Sequence, residues 1–471
     1  MRNCMRFSVF FLLLCLLAAG MVSCSADTDA PSATEAETSA VSGEASPAEV
    51  DFTKEWVIVR SDMDERCLES IYMIRGAFEE LFGYKPAIRT DYLAPNEQPG
   101  EYEILVGKTT RESCAGVYEG IAEGEYTYQV LSENVIAIFG DSVKNTHRAA
   151  ERFLRDCFGY TEFGTGTAAS VAIGTSYTGK YVPPFQNPVV EGYADPDVLY
   201  HDGVYYLYAT SYHIGNGYEV LTSTDLVNWE NHGNCLDTSS GVTDSWGFSR
   251  YYWAPDVEEH NGKFYMLASV DEHLGIMTAD SPLGPFVPEE NYLFEDAIDG
   301  HMFFDGDDMY IYYVTWREGH PYGIWGCKMM DDCVTPDLST ETLLIQPKED
   351  YEPGVTEGPY MLKKDGVYYL TYSGNGYTSP WYCICYATSD SPLGEYVKYK
   401  KNPILISDGE TVFGTGHHCF TTMPDSEEML IVYHIHDSKD GVHPRHTSVD
   451  RVWFRETKDG YILECDGPNI G

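Results

Sequence analysis

The chain has 471 residues, enough for two or three domains, and its 74 acidic against 30 basic side chains give a formal charge of −44. Binding to phosphate needs clustered Lys and Arg, so nucleic acid and other polyanions are poor partners. The acidity is that of a solubilising surface, which suits a neutral sugar polymer without singling one out.

Arg2 and Arg6 precede the apolar run from Phe7 to Ala19, the pattern of an export signal too short to span a bilayer. Gly20-Met21-Val22-Ser23-Cys24 resembles a lipobox, with Met21 where Leu is usual. The expectation is a signal peptide over residues 1–24, cleaved to leave a lipidated Cys24 that anchors a bacterial cell-surface lipoprotein; a plain secretory signal is the alternative. Residues 25–50 are Ser, Thr, Ala, Glu and Pro with few large apolar side chains, which reads as a disordered tether. Three of the 13 cysteines belong to the leader, and the other ten, Cys67 to Cys465, are scattered. Their spacing gives neither a zinc site nor a disulfide framework, so they read as small buried hydrophobes.

Residues 51–180 alternate strands and helices. Glu55–Val59 is a strand, Leu68, Ile71, Ile74, Phe78 and Leu81 recur at helical spacing, and Tyr102–Gly107 is a strand again. A hairpin from Tyr126–Val130 to Val135–Gly140 and a helix carrying Ala149, Phe153 and Leu154 close a small α/β domain. Strand plus Val-Gly-Lys, hairpin, Phe-Gly-Asp-Ser and final helix resemble the noncatalytic α/β domain that precedes the barrel of family 20 β-hexosaminidases.

The Pro- and aromatic-rich stretch Tyr181–Pro188 marks a boundary, after which helical periodicity vanishes. A polar turn followed by an aromatic-alternating strand recurs at Asp202–Tyr208, Asn261–Met266, Gly306–Tyr312 and Asp365–Leu370, with a degenerate copy at Glu427–Tyr433. A second element, Ser-Pro-Leu-Gly with an aromatic after it, closes units at Ala279–Phe286 and Ser389–Tyr396, and Thr224–Trp229 plays the same part earlier. Five copies at roughly 45–60-residue spacing predict five four-stranded blades about an axis. The fold class is therefore multidomain, a small N-terminal α/β domain over 51–180 followed by an all-β five-bladed β-propeller over 181–471.

Three acidic residues lie about ten residues ahead of repeats one, three and four. They are Asp195 in Tyr-Ala-Asp-Pro-Asp, Asp299 in Ala-Ile-Asp-Gly-His and Glu357 in Val-Thr-Glu-Gly-Pro. Taken singly, Asp-Pro and Glu-Gly-Pro are turn chemistry. Their shared phase predicts one site at the funnel of the propeller, with carboxylates available on two sides of a glycosidic bond.

These motifs, with Tyr252-Trp253-Ala254-Pro255-Asp256 and Gly414-Thr415-Gly416-His417, resemble glycoside hydrolase family 43 over residues 185–471. The resemblance implies inverting hydrolysis of arabinose- or xylose-containing glycans. Asp195 would be the general base, Glu357 the general acid and Asp299 the residue that orients the acid and raises its pKa. It implies no required cofactor, but a structural Ca²⁺ in the channel that His417 helps hold through water; His418 does not inherit that role. Arg445 resembles a substrate-contacting arginine, with an ordinary salt bridge as the alternative. Trp253, Trp316 and Trp381 are candidates for stacking on sugar faces.

The reading is an exported, exo-acting α-L-arabinofuranosidase or β-xylosidase acting on an oligo- or polysaccharide. Within the family, β-D-galactofuranosidase, exo-galactanase and endo-arabinanase activities stay open, although Gly300 after Asp299 departs from the Pro expected of arabinanases. Invertase-type propellers carry Arg-Asp-Pro and Glu-Cys signatures that this chain lacks. A non-catalytic glycan-binding lipoprotein is the rival from another class.

Overall fold

The computed structural model describes residues 48–62, 67–114, 116–160, 166–167, 171–181, 183–214, 216–246, 250–423, 426, 428–457 and 460–469. The expected leader, Cys24 and nearly all of the tether lie outside them. Among the described residues no helix is long and apolar enough to cross a membrane. The described residues divide into two compact units, one reaching to Phe153 and including 171–180, and one of 154–160, 166–167 and the described residues from Tyr181 on.

In the first unit six strands form one sheet in the spatial order Ala87–Thr90, Trp56–Arg60, Tyr102–Val106, Val135–Gly140, Glu125–Ser132 and Ser176–Lys180. The first four are parallel, the hairpin partner Glu125–Ser132 runs antiparallel to them, and Ser176–Lys180 pairs antiparallel with that partner. Helix Leu68–Phe82 buries Ile71, Ile74 and Phe78 of the predicted stripe, leaves Leu68 and Leu81 half-buried, and stops at Gly83 (φ 76°), whose N–H bonds the Glu79 carbonyl. The two edge strands, Ala87–Thr90 and Ser176–Lys180, escaped the sequence reading because half-exposed edges carry no apolar alternation.

The second unit is the five-bladed propeller. Its second strands, Val204–Ser211, Lys263–Val270, Asp308–Thr315, Val367–Gly374 and Met429–Ile435, are the five aromatic repeats. Three of the turns before them are tight Asp-Gly or Asn-Gly hairpins with left-handed backbone at both residues: Asp202-Gly203, Asn261-Gly262 and Asp365-Gly366. Each repeat strand is buried on both faces, which explains runs such as Tyr205-Tyr206-Leu207-Tyr208. Five apolar layers result, one between each pair of neighbouring blades. In the second blade, Phe264, Met266 and Ala268 pack towards the first, and Tyr265 and Leu267 towards the third. The last layer joins Cys419, Leu430 and Val432 of the fifth blade to Val198 and Leu207 of the first and closes the ring.

The second repeated element has a job too. Its proline carbonyls accept hydroxyls from the preceding blade, Tyr208 to Pro282 (2.5 Å) and Tyr312 to Pro392 (3.1 Å). Closure is completed by the segment ahead of blade one. Val189 and Val190 pair with Thr447, and Asn187 bonds the backbone of Val449 in blade five. All ten described cysteines are free, and nine of them are buried.

Candidate active site

The inner strands Tyr193–His201, Tyr252–His260, Ala297–Asp305, Thr356–Lys364 and Gly416–Thr422 share one irregularity. Near its start each slips register against the second strand of its own blade, the mark of a β-bulge. At each bulge one residue adopts left-handed backbone: Asp195 (φ 49°), Ala254 (44°), Asp299 (56°), Gly358 (54°) and His417 (42°). Non-glycine residues rarely adopt this conformation, and such strain concentrates at functional sites. The slip aims five equivalent positions at the axis. Two of the three predicted carboxylates occupy such positions, but Glu357 does not. It stands one residue before its bulge, so the three are not in identical phase; the sequence spacing of about ten residues was too coarse to register the offset.

A bulge leaves its amide outside the ladder, and a buried N–H must find a partner. In four blades the partner comes from the end of the second strand of the blade before. Thr210 Oγ1 accepts from Ala254 (2.9 Å), Ser269 Oγ from Asp299 (3.2 Å), Ser373 Oγ from His417 (2.8 Å) and His434 Nδ1 faces the N–H of Asp195 (3.3 Å). The equivalent residue of blade three, paired with Ile298, is Val314, which can accept nothing. The Gly358 amide turns instead to the carboxylate of Asp299 (3.0 Å to Oδ2). One valine thus ties Asp299 to the residue next to Glu357. Gly300 has its own reason to replace the Pro that follows the bulge residue in blades one, two and four. A Cβ there would lie 2.6 Å from Leu267 and 2.8 Å from Leu274.

Asp195 is buried and gripped by Arg445 through two parallel bonds, Nη1 to Oδ1 at 2.7 Å and Nη2 to Oδ2 at 3.1 Å. His434 Nδ1 lies 3.1 Å from the same Oδ1, and His417 Nδ1 sits 3.5 Å from Asp195 and 3.7 Å from Asp299. Burial opposes a charge on Asp195, but Arg445 first and His417 after it outweigh it and hold the carboxyl well below the usual range. Burial, with Arg445 beside it, pushes His434 down to about 3, so that imidazole is neutral. Glu357 goes the other way. Burial first and the neighbouring Asp299 second push it up to about 8, against a smaller downward pull from Tyr382. Asp299 is itself raised by burial and by Asp195, with His417 opposing. Asp195 therefore favours the ionised form and Glu357 the protonated form at neutral pH, the kind of divergence that separates a base from an acid.

Arg445 is placed on Asp195, with Tyr212 Oη accepting from its Nε (3.3 Å) and the Tyr377 ring 4.9 Å from its guanidinium carbon. Trp316 and Trp381 are 37% and 47% exposed, and half-buried Trp253 stacks on Tyr251 with ring centres 5.4 Å apart. All three lie at the strand ends that carry the bulges. His418 is buried on Thr371, away from the ring formed by the bulge residues. His434, Tyr382, Tyr212 and Tyr377 were not singled out in the sequence. Aligning the five repeats to their last residue would have exposed His434, which falls where Thr210, Ser269 and Ser373 fall.

Among the described residues no group of three or more His, Cys, Asp or Glu is placed to hold a metal ion. His417 offers at most one direct ligand, so the expected channel cation would need water for the rest of its shell.

The model for glycosyl hydrolases family 43 matches residues 185–461. A β-D-galactofuranosidase of Aspergillus niger is 31% identical over 305 residues, covering 59% of this chain and 84% of that protein. A xylosidase/arabinosidase of Butyrivibrio fibrisolvens is 34% identical over 236 residues, covering 46% of this chain but only 44% of that protein. A crystal structure of a thermostable family-43 glycoside hydrolase superposes with a TM-score of 0.54 at 38% identity, over 61% of this chain and 97% of that one.

Proposed function

The chain belongs to family 43 of the glycosyl hydrolases, and from that premise we propose an exo-acting, inverting glycosidase that removes arabinofuranosyl or xylosyl units from plant glycans. One observation carries the reading: Asp195 and Glu357 lie close enough to act on one another, yet their surroundings drive their proton affinities apart. In this mechanism ionised Asp195 takes a proton from water, each of its oxygens keeping a lone pair beside its bond to Arg445. Protonated Glu357 gives its proton to the departing glycosidic oxygen. Asp299 keeps that proton on Glu357 until the bond breaks. Trp253, Trp316 and Trp381 would stack on sugar faces, and Arg445 would contact the sugar bound against Asp195.

The Aspergillus relative gives β-D-galactofuranoside hydrolysis specific support as a second reading. The N-terminal unit is read as a noncatalytic accessory domain of the kind that precedes family 20 hexosaminidase barrels. Export and anchoring through Cys24 complete the proposal.

The test is an assay of the protein on aryl α-L-arabinofuranoside, β-D-xyloside and β-D-galactofuranoside, with two variants alongside. Asp195→Asn abolishes turnover of every substrate. Glu357→Gln spares good leaving groups and loses natural linkages, because only a poor leaving group needs protonation. Equal losses on both kinds of substrate would refute the acid assignment, and binding without turnover by the unmutated protein would revive the glycan-binding alternative.

A further inference from the structure

Behind Glu357 stands a tyrosine whose packing and hydrogen bonding point at one task. The Tyr382 ring is fully buried. One neighbour is His434, nearly parallel to it with centres 5.5 Å apart, and another is Gly416, where a Cβ would lie 2.1 Å from the ring carbons Cδ1 and Cε1. The second glycine of Gly-Thr-Gly-His is therefore a contact surface for this ring. The backbone is pinned as well, with the Tyr382 N–H on the Ser379 carbonyl (3.0 Å) and its carbonyl on Thr415 Oγ1 (3.1 Å). A ring so held can direct its hydroxyl to few places.

That hydroxyl is sealed from solvent and closes no hydrogen bond among the described residues. Tyr382 packs on Gly416, next to His417, whose amide the Ser373 oxygen accepts at 2.8 Å, and Ser373 stands opposite Glu357 in the strand pair. The Glu357 carboxyl and the Ser373 hydroxyl are accordingly among the groups that act on the phenol. Because the Ser373 oxygen accepts that amide, its own proton is left free, and a small approach that lets it donate to the phenol oxygen would turn the phenol proton towards Glu357. Burial, together with Glu357, holds the phenol well above its usual range, so it acts as a donor throughout the working pH range.

We propose that Tyr382 is the positioning residue of the acid, donating to one oxygen of Glu357 so that the transferable proton sits on the other, towards the leaving group. The inference rests on the role given to Glu357 above. It uses the order His417 amide, Ser373, Tyr382, Glu357, which runs from the axial position of blade five to the acid of blade four. Besides Tyr382, the charged or titratable groups acting on Glu357 are Asp299, Asp195 and Arg445, and Tyr322, whose hydroxyl bonds the Thr356 carbonyl, lies beside it.

Tyr382→Phe removes a single oxygen and leaves the packed ring in place. A phenol donating to a carboxylate favours the ionised form, so its loss moves the basic limb of the kcat/KM profile upward by about one pH unit. Turnover of an unactivated glycoside falls about tenfold more than that of an aryl glycoside with a good leaving group, because the proton is no longer aimed. Fluorinated tyrosine at position 382, a stronger donor, moves the same limb downward. A limb unmoved by both replacements, with equal losses on both substrates, overturns the proposal and leaves Tyr382 a packing residue. Glu357→Gln measured in parallel separates the two failures. If it discriminates between leaving groups while Tyr382→Phe does not, only the tyrosine assignment falls.

Discussion

Asp299→Asn isolates the electrostatic half of the acid's tuning, because an amide oxygen can still accept the Gly358 N–H that Asp299 now holds at 3.0 Å. What the substitution removes is charge. Two unit charges about 6 Å apart at an effective dielectric of about 20 interact by about 3 kcal/mol, or about 2 pH units. Glu357 should then fall from about 8 towards 6. It should not return to the free-glutamate value, since burial, the larger cause, is untouched. At pH 7 the protonated fraction would drop from about nine-tenths to about one-tenth, a loss of roughly tenfold in kcat/KM on a poor leaving group. That loss should vanish by pH 5. The assay is a pH profile of kcat/KM for both proteins on an unactivated disaccharide and on an aryl glycoside, the latter losing less. An Asp299→Asn profile with its basic limb still near pH 8, and a loss equal at pH 5 and pH 7, would refute the reasoning.

Arg445→Met strands the Asp195 carboxylate in a buried place without its counter-ion. A group whose folded pKa is depressed stabilises the protein above its unfolded value and stops doing so as pH falls. The variant should therefore lose about 3–5 kcal/mol in denaturant unfolding at pH 7, and less near pH 3; an unchanged midpoint at pH 7 would contradict the ion-pair reading. Cys24→Ala should move the protein from the membrane fraction to the soluble one in a bacterial host that lipidates it, and retention in the membrane would dismiss the lipid anchor.

How much of this was written in the sequence depended on periodicity. The five middle strands were legible because each is buried on both faces and follows a polar turn, so composition and turn chemistry agree. The edge strands of the N-terminal sheet were not, since half-exposed polar strands such as Ser176–Lys180 resemble loops. Asp195, Asp299 and Glu357 could be found by spacing. Their conformations could not, because a bulge is a relation between two strands and appears in neither alone. The same limit hid His434, Tyr382 and Val314. Each matters through what it faces on another strand, and Val314 matters by lacking an acceptor that its counterparts possess.

The left-handed bulges also act as a filter on composition. Asn, Asp, His and Gly tolerate that backbone far better than β-branched or bulky residues, so the fold admits to its axis a short alphabet weighted towards groups that carry protons. Asp195, Asp299 and His417 all belong to that alphabet, Gly358 belongs to it for want of a side chain, and Ala254, with only a methyl, is the one exception. Glutamate does not, which is in keeping with the proposed acid, Glu357, standing one residue outside the bulge on ordinary strand backbone, with a longer side chain to regain the centre. A propeller built in this way narrows its own evolution: an aspartate or a histidine can enter the ring by one codon change without disturbing the ladder, whereas valine and isoleucine are kept out by the main chain before any selection on activity begins.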